Sequence, residues 1–266
     1  MKQRILTALV ALAVFIPIIV FSNDVVFRIC IAVISAFSAY ELLQCTGTLK
    51  KFLLSVPLIA FSFCLPAFYT LDETAKLTVI AAVMFYCMTT MVFSNGGISA
   101  SDAGIAYTGV FFCTFSYECI AVLRENYSWG FFLVFIAAWG SDTFAYFVGR
   151  FLGKHKLIPK ISPKKTVEGA IGGAVAGMVL YPLFGVILAN NSDYSVNYIS
   201  LAILGLGAAI VSQIGDLIMS AIKRCYNIKD YGKIFPGHGG FLDRFDSTLT
   251  VAPLLCLALS VFKIIY

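Results

Sequence analysis

The chain has 266 residues, of which 60% are apolar and only 12% charged, and its mean hydropathy is +0.90. These values exclude a disordered chain, a collagen, a coiled coil, a disulfide-stapled secreted fold and an ordinary soluble domain, which has nowhere to hide so much apolar surface. The net charge of +5 is the basic excess expected of a membrane protein's cytoplasmic loops, and no nucleic-acid partner is expected.

What remains is an all-α, polytopic integral membrane protein with about nine transmembrane helices. Nine apolar segments are predicted to span: 5–22, 25–43, 52–70, 77–93, 103–123, 129–149, 168–189, 198–219 and 247–265. Each must be helical, because inside a bilayer only a helix satisfies its own backbone groups. Residues 1–22 combine a basic start with an apolar run, but no small-x-small cleavage site follows, so no removable signal peptide is expected. The eight cysteines (30, 45, 64, 87, 113, 119, 225 and 256) lie mostly in apolar runs without a CxxC or CxxH pair. They read as small hydrophobes, not as disulfide or zinc ligands.

Two connections are long and polar, 150–167 and 220–246. Placing the N-terminus in the cytoplasm puts 15 Lys and Arg residues inside and 4 outside. Both long loops then face the cytoplasm and the C-terminus lies on the opposite side. No linker divides the chain, so 1–266 is read as a single transmembrane domain. Gly169, Gly173 and Gly177 recur every four residues in the seventh predicted span, a spacing that lets helix backbones approach closely.

The first five spans carry little charge; Glu41 and Glu118, near predicted span ends, read as interfacial. Polar residues gather after residue 139. Asp142, within Trp139–Tyr146, and Asp216, at the end of Ser212–Asp216, lie inside spans, where an ionisable group reads as functional. The plainer alternative is an acid that joins two helices.

The first loop reads Ile161-Ser-Pro-Lys-Lys-Thr-Val-Glu-Gly169. Ser162 or Thr166 is placed to cap the helix that starts near 167. Lys164 and Lys165 then flank a positive helix end, which is unfavourable unless an anion such as phosphate neutralises them. Anchoring to lipid headgroups explains the same bases equally well. In the second loop five bases and four acids interleave, counting Asp216, around the turn-rich Pro236-Gly-His-Gly-Gly240. If 243–246 opens the last helix, Asp243 and Asp246 share a face and repel each other unless a cation lies between them. Mg²⁺ is the hard cation suited to one or two carboxylates beside phosphates. A salt-bridged loop with Arg244 between the acids is the alternative.

The run Ser220-x-x-Lys223-Arg224-x₄-Lys229-Asp230-x₅-Pro236-x-His238-Gly239-Gly240-x-x-Asp243-Arg244-x-Asp246 closely resembles the signature of the phosphatidate cytidylyltransferase (CDP-diglyceride synthetase) family. Ser162–Gly169 and Ser141–Tyr146 resemble the family's upstream elements, and the length resembles its compact bacterial members. The resemblance covers 139–250 well, while 1–128 matches only as structural spans. It implies a catalytic part at 139–250 and a multi-pass protein of the bacterial inner membrane with its site facing the cytoplasm. It implies condensation of CTP with phosphatidate, giving CDP-diacylglycerol and pyrophosphate with Mg²⁺ as cofactor. By resemblance, Asp216, Asp243 and Asp246 hold the metal, and Lys223, Arg224 and Lys229 hold the triphosphate. Lys164, Lys165, Ser162, Thr166 and Arg244 are assigned to substrate, and His238 either donates to a phosphate or stabilises the turn. Asp142 is a supporting or further metal contact. A homodimer among the membrane lipids is allowed. Direct transfer, without a cytidylyl-enzyme, is expected.

Rival classes are a carrier, with Asp142 and Asp216 forming an ion path, and a lipid kinase. The Asp-rich pattern of the CDP-alcohol phosphatidyltransferases is not found in the sequence.

Overall fold

A computed structural model of the chain describes residues 17, 21–68, 70–127, 129–191, 194–235, 239–262 and 264–265. The helices are α1 (Asp24–Cys45), α2 (Phe52–Ala67), α3 (Glu73–Phe93), α4 (Ala100–Asn126), α5 (Gly130–Phe151), α6 (Val167–Asn191), α7 (Tyr198–Cys225), the short α8 (Leu242–Phe245) and α9 (Thr248–Val261). Six of them, α1 and α3 to α7, are long and apolar enough to cross a membrane, which marks a membrane protein. α2 and α9 are apolar but shorter. The span predicted at 247–265 thus contains a 14-residue helix. The span predicted at 5–22 lies, apart from Pro17, Phe21 and Ser22, outside the described residues.

Helix starts follow local chemistry. The Asn23 side chain accepts the Val26 N–H at 2.9 Å and opens α1, and Asp72 accepts the Ala75 N–H at 2.7 Å and opens α3. At α4, Ser99 N donates to Asp102 Oδ2 at 2.9 Å while Asp102 N donates to Ser99 Oγ at 3.1 Å, a reciprocal capping box.

The chain divides into two compact units, residues 1–121 with 225–245 and residues 122–224 with 246–266. In the first unit α1 packs on α2 and α2 on α3. Buried hydroxyls of α1, α2 and α4 are mutually satisfied: Ser35 and Ser62 at 2.7 Å, Thr114 to Ser62 at 2.9 Å, and Ser38 to Tyr117 at 2.8 Å. Glu118, read from its place in the sequence as interfacial, is buried within the protein. It lies 3.0 Å from Arg28, which is 2% exposed, and 3.0 Å from Lys76. A buried acid demands such partners, because an unpaired charge there is too costly.

In the second unit α5 packs on α6, and α9 on the start of α5. Tyr181 donates to Leu133 O at 2.8 Å and Tyr127 to Leu259 O at 3.0 Å. The glycine repeat packs as its spacing predicts. A Cβ on Gly177 would collide with the Gly205 carbonyl and lie 2.5 Å from the Ala209 methyl; one on Gly173 would lie 2.7 Å from Ser141 O. Within α5 the residues Ile136–Gly140 form a turn of π-helix. The all-α expectation needs one correction. The loop after α5 folds into an antiparallel hairpin of β1 (Lys156–Ile158) and β2 (Ser162–Thr166), with Lys156 opposite Thr166 and Ile158 opposite Ser162.

Candidate active site

In the second unit, four elements converge on a charged cluster. The π-turn of α5 delivers buried Ser141, which donates to Ala138 O at 3.3 Å and to Ser212 Oγ of α7 at 3.4 Å. Asp142 follows, half-buried, and Asp216 lies one turn beyond Ser212 on α7. Ser220 donates to Asp216 Oδ1 at 3.4 Å. From β2, Lys165 Nζ reaches to 2.5 Å from Asp216 Oδ2. The contact is ionic: Nζ is buried and no acceptor among the described residues lines up with it for a hydrogen bond.

Asp246, in the turn between α8 and α9, accepts the Ser247 N–H at 2.8 Å. Burial pushes its carboxyl up to about 7, and the charge of Asp216, with that of Asp142, pushes the same way. The buried Lys223 ammonium and the Ser247 N–H oppose the rise. Asp142, Asp216 and Asp246 therefore form an acidic group faced by Lys165 and Lys223.

The hairpin carries the other first-loop candidates. Thr166 does cap α6, its Oγ1 accepting the Gly169 N–H at 3.1 Å, whereas Ser162 sits within β2 and caps nothing. Lys164 is exposed. Arg224, at the end of α7, donates from Nε to Ile161 O at 3.4 Å and so ties that helix end to the hairpin.

In the first unit, the loop before α8 is ordered by two acids. Asp243 Oδ2 accepts the N–H groups of Tyr231 at 2.7 Å and Gly240 at 3.0 Å. Gly239 has φ of +84°, which a glycine adopts without strain, and a Cβ there would lie 2.7 Å from Asp243 Oδ2. Glu41 of α1 accepts the N–H of Phe241 at 3.1 Å on Oε1 and that of Leu242 at 2.9 Å on Oε2. Lys229 and Arg244 belong to this unit and are exposed. His238, with Pro236 and Gly237, lies outside the described residues.

One sequence reading changes here, and a second gains a partner. Asp243 and Asp246 do not share one helical face, because α8 ends at Phe245 and Asp246 lies in the turn before α9. Glu41, read as interfacial, is 1% exposed. A signal for it was present: an acid amid Tyr40, Leu42 and Leu43, with no Lys or Arg three or four residues away, must find its partner elsewhere in the fold.

Among the described residues no three His, Cys, Asp or Glu side chains gather as a preformed metal cage. Mg²⁺ does not need one, since it binds through one or two carboxylates plus substrate phosphates and keeps waters. Asp216 and Asp246 suit that mode: burial, and then the charge of Asp216, disfavour the ionised form of Asp246, and a cation relieves both.

Residues 2–262 match the cytidylyltransferase family. "Phosphatidate cytidylyltransferase" of Bacillus subtilis (strain 168) is 35% identical over 275 residues, covering 99% of each chain. The Staphylococcus haemolyticus (strain JCSC1435) protein of the same name is 34% identical, with 97% of this chain and 99% of that one covered. The Staphylococcus aureus (strain COL) protein of that name is 35% identical over the same shares.

Proposed function

Because the chain belongs to the cytidylyltransferase family, we propose that it transfers the cytidylyl group of CTP to phosphatidate, giving CDP-diacylglycerol and pyrophosphate. The protein is a nucleotidyltransferase, and what this reading adds is the lipid acceptor, the metal and the route. The observation that carries it is the Asp216–Asp246 pair with Lys165 and Lys223 set against it. Carboxylates that suit a divalent cation, set beside two bases, fit polyanionic substrates.

Transfer proceeds in line, a phosphatidate oxygen attacking the α-phosphorus as pyrophosphate departs. Such a reaction depends on positioning and charge neutralisation. Lys223, Arg224 and Lys229 hold the triphosphate and the leaving pyrophosphate. Lys164 and Lys165 receive the phosphatidate headgroup, and Lys165 can exchange Asp216 for a phosphate without leaving the cluster. Ser162 and the Thr166 hydroxyl proton orient phosphate oxygens, with Arg244 and His238 also toward substrate. Asp216 and Asp246 would hold Mg²⁺, which when bound supplies charge neutralisation at the phosphates. The family motif assigns Asp243 to the same ion; within its own unit its carboxylate orders the loop that bears it.

Both polar loops face the cytoplasm in this reading, supported by the 15 to 4 distribution of Lys and Arg. The soluble nucleotide and the anionic lipid then meet at the surface of a bacterial inner membrane.

The test is incubation of the purified protein with phosphatidate, CTP and Mg²⁺. CDP-diacylglycerol and pyrophosphate should appear in equal amounts and vanish when Mg²⁺ is chelated. Transfer of the γ-phosphoryl group to lipid would instead identify a kinase.

A further inference from the structure

We infer that Glu41 is a positioning residue for cytidylyl transfer: from α1, its carboxylate clamps the loop that carries Asp243. The inference rests on the activity proposed above and adds a residue far upstream of the 220–246 motif.

The clamp is bidentate. Each carboxylate oxygen takes one of two consecutive backbone N–H groups, Phe241 on Oε1 and Leu242 on Oε2, across about 200 residues of sequence. Hydrogen bonds to an ionised acceptor are the stronger kind, and two in fixed geometry also set orientation. The loop is built to admit it: a Cβ on Gly232 or on Gly240 would collide with the Glu41 carboxylate. One turn earlier on α1, Phe37 stacks on Phe241 at 5.3 Å between ring centroids, and Phe235 packs edge-on against the same Phe241 ring at 4.9 Å. A single face of α1 therefore grips both the ring and the amide of Phe241.

Asp243 follows the clamped pair immediately and holds Tyr231 and Gly240 by their N–H groups. Four backbone donors of one short loop thus end on two acids, Glu41 and Asp243. Releasing Glu41 leaves two N–H groups seeking acceptors and lets the segment that sets Asp243 drift. An amide oxygen can replace one carboxylate oxygen, but the amide NH₂ would face a second donor.

The experiment compares wild type, Glu41→Gln, Glu41→Ala and Gly240→Ala as full chains in detergent. Glu41→Ala should lose about tenfold to hundredfold in kcat, the scale of a small misplacement, with KM for CTP moved by less than about threefold. Glu41→Gln should recover part of that loss, and the Mg²⁺ concentration for half-maximal rate should rise in all three variants. Amide hydrogen exchange should accelerate in peptides covering 239–245 and not in those of α2 and α3. Retention of kcat within about threefold in both Glu41 variants would overturn the inference. So would faster exchange throughout the first unit with an unchanged Mg²⁺ requirement, because Glu41 would then serve stability alone. If the Glu41 variants cannot be purified folded, Gly240→Ala decides: wild-type kcat and Mg²⁺ requirement there would overturn it. A wild-type protein that makes no CDP-diacylglycerol overturns the activity itself, a result distinct from an active wild type with indifferent variants.

Discussion

Lys165 Nζ lies 2.5 Å from Asp216 Oδ2 and joins the hairpin of the first polar loop to α7. Without this base, Asp216 and Asp246 would face each other with Lys223 and the Ser247 N–H left to offset them.

Replacement of Lys165 should therefore damage stability and activity by separable routes. The pair is about a quarter exposed, so Lys165→Met should cost about 1–2 kcal/mol, between the values of surface and buried pairs. Adding Asp216→Asn to that variant should restore most of the thermal midpoint and none of the turnover. Recovery of both would show that the pair serves folding only.

The raised Asp246 carboxyl makes a pH prediction. Its value in the fold is about 7, against about 3.9 in an unfolded chain. The folded protein then binds the extra proton, so the contribution of Asp246 to metal-free stability is fully present below about pH 4 and is lost as pH rises through about 7. Mg²⁺ needs the ionised carboxylate, so its apparent affinity should drop about tenfold per pH unit below about 7. Mg²⁺ should raise the thermal midpoint more at pH 8 than at pH 5.5, and Asp246→Asn should abolish the difference. A Mg²⁺ affinity that stays flat from pH 6 to 8 would contradict the assignment.

The glycines of α6 and α7 predict a contrast measurable by thermal denaturation in detergent. Gly177→Val must push against the Gly205 carbonyl and Ala209, and should cost about 1–3 kcal/mol or more. Gly207 on α7 has nothing within 4 Å of the place a methyl group would take, so Gly207→Ala should be neutral or stabilise by up to about 1 kcal/mol.

Exposed Cys225 gives a handle on orientation, since Cys87, Cys113 and Cys119 are buried. A membrane-impermeant maleimide should label Cys225 in inside-out vesicles and not in right-side-out ones. The reverse pattern would place the second polar loop, and the nucleotide site, on the far side.

The helices were legible because bilayer spans announce themselves by length and hydropathy: 25–43, 77–93 and 198–219 each fall within a single helix, α1, α3 and α7. The hairpin was not, since Lys156–Ile158 and Ser162–Thr166 lack the alternation that marks a strand. The site divides in the same way. Its acids and bases stand out in the sequence as charges, but the partner of each does not. Lys165 and Asp216 are 51 positions apart, and Glu41 and Leu242 are 201 apart. Only the packing of helices decides which of the available bases or amides each acid meets.

The π-turn at Ile136–Gly140 has a consequence for how the protein tolerates change in length. A π-turn accommodates one residue more than an α-helical turn does. Deleting any one residue from 136–140 would let α5 run as regular α-helix, with the hydropathy of the span almost untouched. The lost residue and the lost π-turn offset each other, so everything after the deletion would keep roughly its present facing around the axis. Ser141 would still meet Ser212, and Asp142 would keep its direction. The same deletion in a regular α-helical turn ahead of that acid would swing it by about 100° around the axis, so α5 absorbs the loss of a residue better at the π-turn than in the turns beside it.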